Sequence, residues 1–477
     1  MKKSALDGIK IVDLSRMAPG PFCSMMLGDM GADVIKVEAP PTARIIASRT
    51  VNDPQNRKNA ATNPLNRNKR SIVLDLKKEE GIKILHQLCQ DADVFLEGFR
   101  PEVVTRLGCG YETIKEINPS IIYCSISGYG QTGPYKDLVG HDINYISVGG
   151  ALGLIGSENG KPSIPYNLIA DFAAGGMNAA FSIVCALFSR SNTHEGQKID
   201  IAMSDGVTYL LSAISGEYFK SGEAPKPGQM TLNGGAPYYN VFECEDGKYI
   251  SLGCIEPNFW RNLCRTLKLD QFLDSQHNTD QYEEIMSELQ TLFKTKKRDE
   301  WWDLFRQTED VAAAPVYDFN EVLEDPHIKA RGMFIQAGTV DETVITQVGF
   351  GSKLMNTPSS IRKLGTIPGA DSENILREMG YSANEIKSLK ETAVALRDEL
   401  EKSRFDKAEA VQAAKLASAN EIKALKSTAA SLRDELEKSK FDMAEAVQAT
   451  KLASANEIKA LKSTAASLRD ELEKSKF

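Results

Sequence analysis

The sequence predicts an α/β fold built on a parallel sheet, followed by a smaller α+β domain and a long helical C-terminal tail. Three observations predict it. Short β-branched runs alternate with helical stretches over the first 200 or so residues. Turn residues crowd the chain near residue 225, and the segment beyond them has a different grain. From Ser382 onward there is neither Gly nor Pro, and "SANEIK" recurs at 382, 418 and 454. Strands separated by helical patterns indicate βαβ units, whose ligands sit beyond the carboxyl ends of the strands.

The elements run in order along the chain. "GIKIVDL" reads as a strand, "RMAPGP" as a loop, "FCSMMLGDMGA" as a helix and "DVIKVEA" as a strand. "RSIVLDL", the amphipathic "KKEEGIKILHQLCQDA" and "DVFLEGF" repeat the unit, and "PSIIYCSISGYG" adds a strand running into a glycine-bearing loop. Residues 1–224 therefore form the N-terminal part of the large domain. Residues 225–330 form the small domain, with an "EDGK" hairpin signal and helices at "PNFWRNLCRTL" and "YEEIMSELQTLF". Residues 331–381 return to the large domain, and 382–477 are the tail. The 36-residue period averages about 3.6 residues per turn, which predicts a nearly straight helix or a loose coiled coil.

Composition narrows the function. A net charge of −8 and a pI near 5.5 argue against a nucleic-acid binder, which needs a basic face. No run of 18 apolar residues stands out, so no membrane span is expected, and "MKKSALDGIKIVDLS" lacks the apolar core of a secretory signal. Eight scattered cysteines without a C-x-x-C pair suit reduced thiols in an intracellular compartment and give no metal site.

Four stretches carry chemistry. "VDLSRMAPGP" is a strand-to-helix loop suited to a nucleotide-like ligand. "NRNKRS" and "LEGFRPEVVTRLG" bring Lys69, Arg100 and Arg106 next to strands, and guanidinium pairs bidentately with phosphate. "GHDINY" supplies His141, one of five histidines, and "NLIADFAAGG" supplies Asp171 in an apolar setting. An imidazole and a carboxylate on opposite sides of one carbon can remove a proton from one face and return it to the other. Thirty residues separate the two, and the sequence leaves open whether they meet; a loop-capping His141 and a helix-capping Asp171 are the alternatives.

These stretches, with "SGYGQTGP" and "DPHIKARGMF" in the same order, resemble the family III CoA-transferases, and among them the α-methylacyl-CoA racemases. The likeness covers about residues 5–390. It implies a Rossmann-like large domain formed by both chain ends and an interlocked homodimer. It also implies a catalytic set of His141, Asp171, Glu256 and Asn167, and racemisation of 2-methylacyl-CoA thioesters through an enolate. The enolate oxygen is expected to be held by backbone N–H groups at the start of the Asp171 helix. The CoA moiety is expected along Met17, Ala18, Asn68, Lys69, Gly98, Arg100, Arg106, Asp142 and Tyr145, with no metal and no further cofactor. The alternative within the family is a CoA-transferase using Asp171 as nucleophile. Ala39 stands where relatives often carry an arginine, and the tail repeats lie outside the family pattern. The expected location is the cytoplasm, with mitochondrion or peroxisome as alternatives, the latter from the closing "SKF". The tail's partner is left open.

Overall fold

A computed structural model of the chain describes residues 4–40 and 53–474, without the side chains of 390–405; "SKF" at 475–477 lies outside the described residues. It divides into two compact units, Met1–Ala383 and Asn384–Phe477.

The first unit is organised by six parallel strands: β1 (Lys10–Asp13), β2 (Asp33–Glu38), β3 (Lys69–Val73), β4 (Val94–Glu97), β5 (Ile122–Ser127) and β6 (Gln197–Ala202). Their spatial order is β3-β2-β1-β4-β5-β6. This is the doubly wound arrangement, in which the strand order reverses between β1 and β4. Helices cover both faces, so the central strands read as continuous apolar runs. Val94, Phe95, Leu96, Ile122 and Cys124 are fully buried. Helix α1 (Pro19–Asp29) begins with proline, whose fixed φ and missing N–H suit a first turn. Helix α2 (Glu79–Gln90) opens on Glu79 and Glu80, favourable at the positive end of the helix dipole, and buries Ile84, Leu85 and Leu88.

One helix departs from expectation. Leu168–Met177 coils as a π-helix and continues as α3 (Asn178–Thr193). The combined Leu168–Thr193 stretch is long and apolar enough to cross a membrane by length and composition, with mean hydropathy 1.6. Here it is a core helix on one side: Ala174, Ala179 and Ile183 enter the same apolar cluster as β4 and β5.

The small domain holds a three-stranded antiparallel sheet, β7 (Tyr239–Glu243), β8 (Tyr249–Gly253) and β9 (Ala313–Pro315). A separate core forms around Trp260, Phe242, Phe293 and Trp301. Both buried indoles are satisfied, Trp260 donating to the Phe272 carbonyl at 3.0 Å and Trp301 to that of Phe293 at 2.9 Å. The chain then forms the hairpin β10 (Phe334–Val340) and β11 (Thr343–Val348) and returns to the large sheet. Asn68 N–H donates to the Lys363 carbonyl at 2.8 Å, and Asp371 N–H to that of Ser71 at 3.0 Å.

The described residues of the second unit all belong to one helix, Ala383–Lys474. Absence of Gly and Pro, with Ala, Leu, Glu and Lys throughout, explains its continuity.

Candidate active site

The loops after β1, β4 and β5 emerge on one edge of the sheet because the strands are parallel. Arg16, Met17 and Ala18 follow β1; Gly98, Phe99 and Arg100 follow β4. They flank the point of reversal, and the Arg16 guanidinium lies 5.2 Å from the centre of the Phe99 ring, joining the two loops. Met17, Gly98, Arg100 and Arg106 are exposed and Ala18 is partly buried. Arg100 and Arg106 make no side-chain hydrogen bond or ion pair among the described residues, so two cationic groups face solvent after β4.

The basic stretch before β3 behaves otherwise. Arg67 is buried on the carboxylate of Asp29, through Nε at 2.9 Å and Nη2 at 2.5 Å. Asn68 adopts φ 58° and ties Asp29, through its Nδ2 at 2.8 Å, to the returning segment, where its Oδ1 accepts from Arg362 N–H at 2.7 Å. Lys69 turns inward: Nζ donates to Ser24 Oγ at 2.6 Å and to the Pro21 carbonyl at 3.0 Å, and lies 3.6 Å from Asp13. Burial pushes its pKa down to about 8, against the opposing pull of Asp13. Asn68 and Lys69, expected along the CoA moiety, are thus structural: the carboxylates of β1 and α1 claim this charge first.

His141 and Asp171 lie within electrostatic range of one another. His141 is exposed at the start of the short helix Asp142–Val148, where its N–H donates to Asn144 Oδ1 at 3.0 Å. Burial raises the pKa of Asp171 above the usual carboxylate value, and the Asp142 charge adds to this. Asn167 and the His141 imidazole pull the other way, so His141 lies within electrostatic reach of the carboxylate. Asn167 Nδ2 donates to Asp171 Oδ2 at 2.9 Å, fixing its orientation. The preceding residue, Tyr166, takes a left-handed φ of 57°, a strained conformation of the kind that clusters at functional sites.

Asp142 holds this arrangement from below. Its Oδ2 accepts the N–H groups of both Ala170 and Asp171 at 2.8 Å. Those two amides are therefore not free to hold an enolate oxygen, which corrects the expectation for the start of this helix. Asp142 is buried and acts as a positioning residue rather than a ligand contact. Tyr145 is likewise buried, and its hydroxyl donates to the Gly140 carbonyl at 2.5 Å. A Cβ at Gly128 or Gly140 would stand 2.3 Å or 2.8 Å from the Tyr145 ring, so glycine at both positions lets the loop close over it.

Glu256 is exposed at the start of Pro257–Leu267 and makes no side-chain hydrogen bond or ion pair, with His141 or otherwise, among the described residues. Two features have little or no sign in the sequence. Glu97 ends β4 buried, and burial lifts its pKa to about 7. Gln131 Nε2, Asn167 Oδ1 and Asp142 Oδ1 are buried without hydrogen-bond partners. The final carboxylate of the "DVFLE" run is the one available signal for Glu97; the orphaned atoms have none. No group of three or more His, Cys, Asp or Glu side chains gathers as a metal site among the described residues, and all eight cysteines are free.

The doubly wound parallel sheet defines an α/β protein whose candidate site residues lie on the segments that follow its strands. The chain belongs to CoA-transferase family III, whose match spans residues 6–372. It is 39% identical to the human protein "Alpha-methylacyl-CoA racemase" over 81% of this chain and 96% of that one. It is 34% identical to human "Succinyl-CoA:glutarate CoA-transferase" over 69% of this chain and 76% of that one. Among solved structures, a CAIB/BAIF family protein from Brucella suis superposes with a TM-score of 0.67 and 28% identity, covering 79% of this chain and all of the other. The repeats from 382 onward lie beyond the family match.

Proposed function

We propose that the protein racemises 2-methylacyl-CoA thioesters by 1,1-proton transfer. One member of the His141–Asp171 pair takes the proton from C2, the C–H electrons move into the thioester as an enolate, and the other member returns a proton to the opposite face. The observation that carries this reading is the electrostatic proximity of an exposed imidazole to a half-buried carboxylate whose pKa is raised. A carboxylate whose pKa burial has raised holds a proton more readily, which suits a group that must both take and return one. Similarity to racemases at 36–39% identity supports the same reading.

The CoA moiety would run from the β1 and β4 loops toward Arg100 and Arg106, its phosphates meeting the two free guanidinium groups. No cofactor beyond that moiety enters the reaction. A second copy completes the site: the exposed face of α3, with Phe181 and Phe188, offers an apolar surface suited to an interlocked dimer, in which Glu256 of one copy approaches His141 of the other.

A CoA-transferase using Asp171 as nucleophile is the second reading, favoured by the similarity to succinyl-CoA transferases. Deuterium incorporation at C2 of a 2-methylacyl-CoA in D₂O, with no second acid present, separates the two. Exchange that is lost in His141→Ala supports the racemase. CoA transfer to an added carboxylate without C2 exchange refutes it.

A further inference from the structure

The tail carries an apolar seam with charges sorted to its two sides. From Ile422 the seam runs through Leu425, Ala429, Leu432, Leu436 and Met443, in steps of three, four and seven residues. In heptad terms Ile422 takes position a and Leu425 position d, and the next copy repeats this at Ile458 and Leu461. Every large member of the seam is about half exposed or more, so the face is uncovered within one chain. Between Met443 and Ile458 the step is four plus eleven residues, which relaxes a left-handed supercoil without breaking the stripe. From Ile422 to Leu472 the seam rises roughly 75 Å at about 1.5 Å per residue.

The flanks decide what covers it. Directly after Leu425, Leu432 and Ser439, at position e, stand Lys426, Arg433 and Lys440. Directly before Ile422, Leu436 and Met443, at position g, stand Glu421, Glu435 and Asp442. The following repeat sorts its charges the same way, with Glu457 and Glu471 on one flank and Lys462 and Arg469 on the other. In an antiparallel pair, like flanks meet: lysine faces lysine and glutamate faces glutamate. In a parallel, in-register pair, each g residue faces the e residue five positions on in the other strand. Glu421 then meets Lys426, Glu435 meets Lys440 and Glu457 meets Lys462, each twice by symmetry. At Ile422 with Leu425, and again at Ile458 with Leu461, isoleucine at a with leucine at d favours two strands in parallel coiled coils.

We infer that the tails of two copies of this chain pair in parallel and in register through this seam. The occupant of the exposed face is the same face of a second copy. The pairing is independent of the proposed catalysis and of the residues placed in it.

The test uses the full-length chain with Cys185→Ser, which removes the exposed thiol. Leu468→Cys places a thiol in the seam near its end, and Ser467→Cys places one on the outer face beside it. Under mild oxidation the Leu468→Cys chain is expected to give an interchain disulfide, and the Ser467→Cys chain to give little. In the Leu468→Cys background, reversing one flank (Glu421→Lys, Glu435→Lys and Glu457→Lys) should lower cross-linking to the Ser467→Cys level. Adding Lys426→Glu, Lys440→Glu and Lys462→Glu should restore it. A dimer of the enzyme cores alone would tether the tails without aligning them, and would show no difference between positions 467 and 468. That result, indifference to charge reversal, or an uncross-linked chain that floats with anionic vesicles overturns the inference.

Discussion

The backbone N–H of Asp171 donates to Oδ2 of Asp142 at 2.8 Å, and the same oxygen also receives the N–H of Ala170. The residue next to His141 thereby anchors the segment that carries Asp171. One dipeptide, His141-Asp142, thus carries an exposed imidazole and the carboxylate that anchors the Asp171 segment. Replacing Asp142 with alanine strands two amides; a buried donor left unsatisfied costs about 1–3 kcal/mol. Denaturant unfolding should report a loss in that range or above. In Asp142→Asn the acceptor can be kept while the charge is lost. The charge contributes to the raised pKa of Asp171, so the acid limb of the exchange rate should move to lower pH.

Burial holds the Asp171 pKa above its ordinary value, so the folded chain binds this proton more tightly than the unfolded chain. Stability contributed by this group is therefore greatest at low pH. It is lost as pH rises from the ordinary carboxylate pKa to the raised one. Asp171→Asn removes the titration and still accepts from Asn167. The variant should be more stable than the parent at neutral pH and no more stable in acid. Its exchange activity should fall by about 10²–10⁴-fold, the usual contribution of a general acid–base group. Thermal melts across pH, beside the exchange assay, check both statements.

Glu97 follows the same sign at a different place. Its pKa rises from 4.5 to about 7, chiefly through burial, and its Oε2 accepts Phe99 N–H at 2.7 Å. Between those pH values the native state holds a proton that the unfolded state has released, so stability falls as pH rises. At about 1.4 kcal/mol per unit, the fall is on the order of 3 kcal/mol. Glu97→Gln should flatten that slope in urea titrations while keeping the bond to Phe99.

Arg100 and Lys69 share a residue class in the sequence and are separated by the structure. Arg100→Ala should raise KM for the CoA thioester by roughly 10–100-fold, the equivalent of one charge-assisted hydrogen bond. It should leave a pantetheine thioester, which lacks the nucleotide phosphates, unaffected. Lys69→Ala leaves Asp13 buried without its cation, and breaking such a pair costs about 3–5 kcal/mol. It should lower the unfolding midpoint while KM of the remaining folded enzyme stays unchanged. An equal KM effect for both thioesters in Arg100→Ala would remove it from the phosphate surface.

Local pattern determined much of this protein. The β-branched runs at 10–13, 33–38 and 94–97, the helices between them and the unbroken helix from Ala383 arise from periodicity and turn chemistry that a short window contains. His141 and Asp171 were legible as candidates because their residue types and apolar surroundings are local facts. The tertiary structure decided where charges end. Lys69 and Arg67 lie beside Arg70 in one basic run, yet only the sheet order shows that Asp13 and Asp29 receive them. Asp142 had no local sign of supporting a segment 28 residues away. The Leu168–Met177 helix was legible as helix, but not as a π-helix, whose wider coil depends on packing against its neighbours. Periodicity reports which face of a segment seeks burial; partners distant in sequence are chosen only when those faces close on one another.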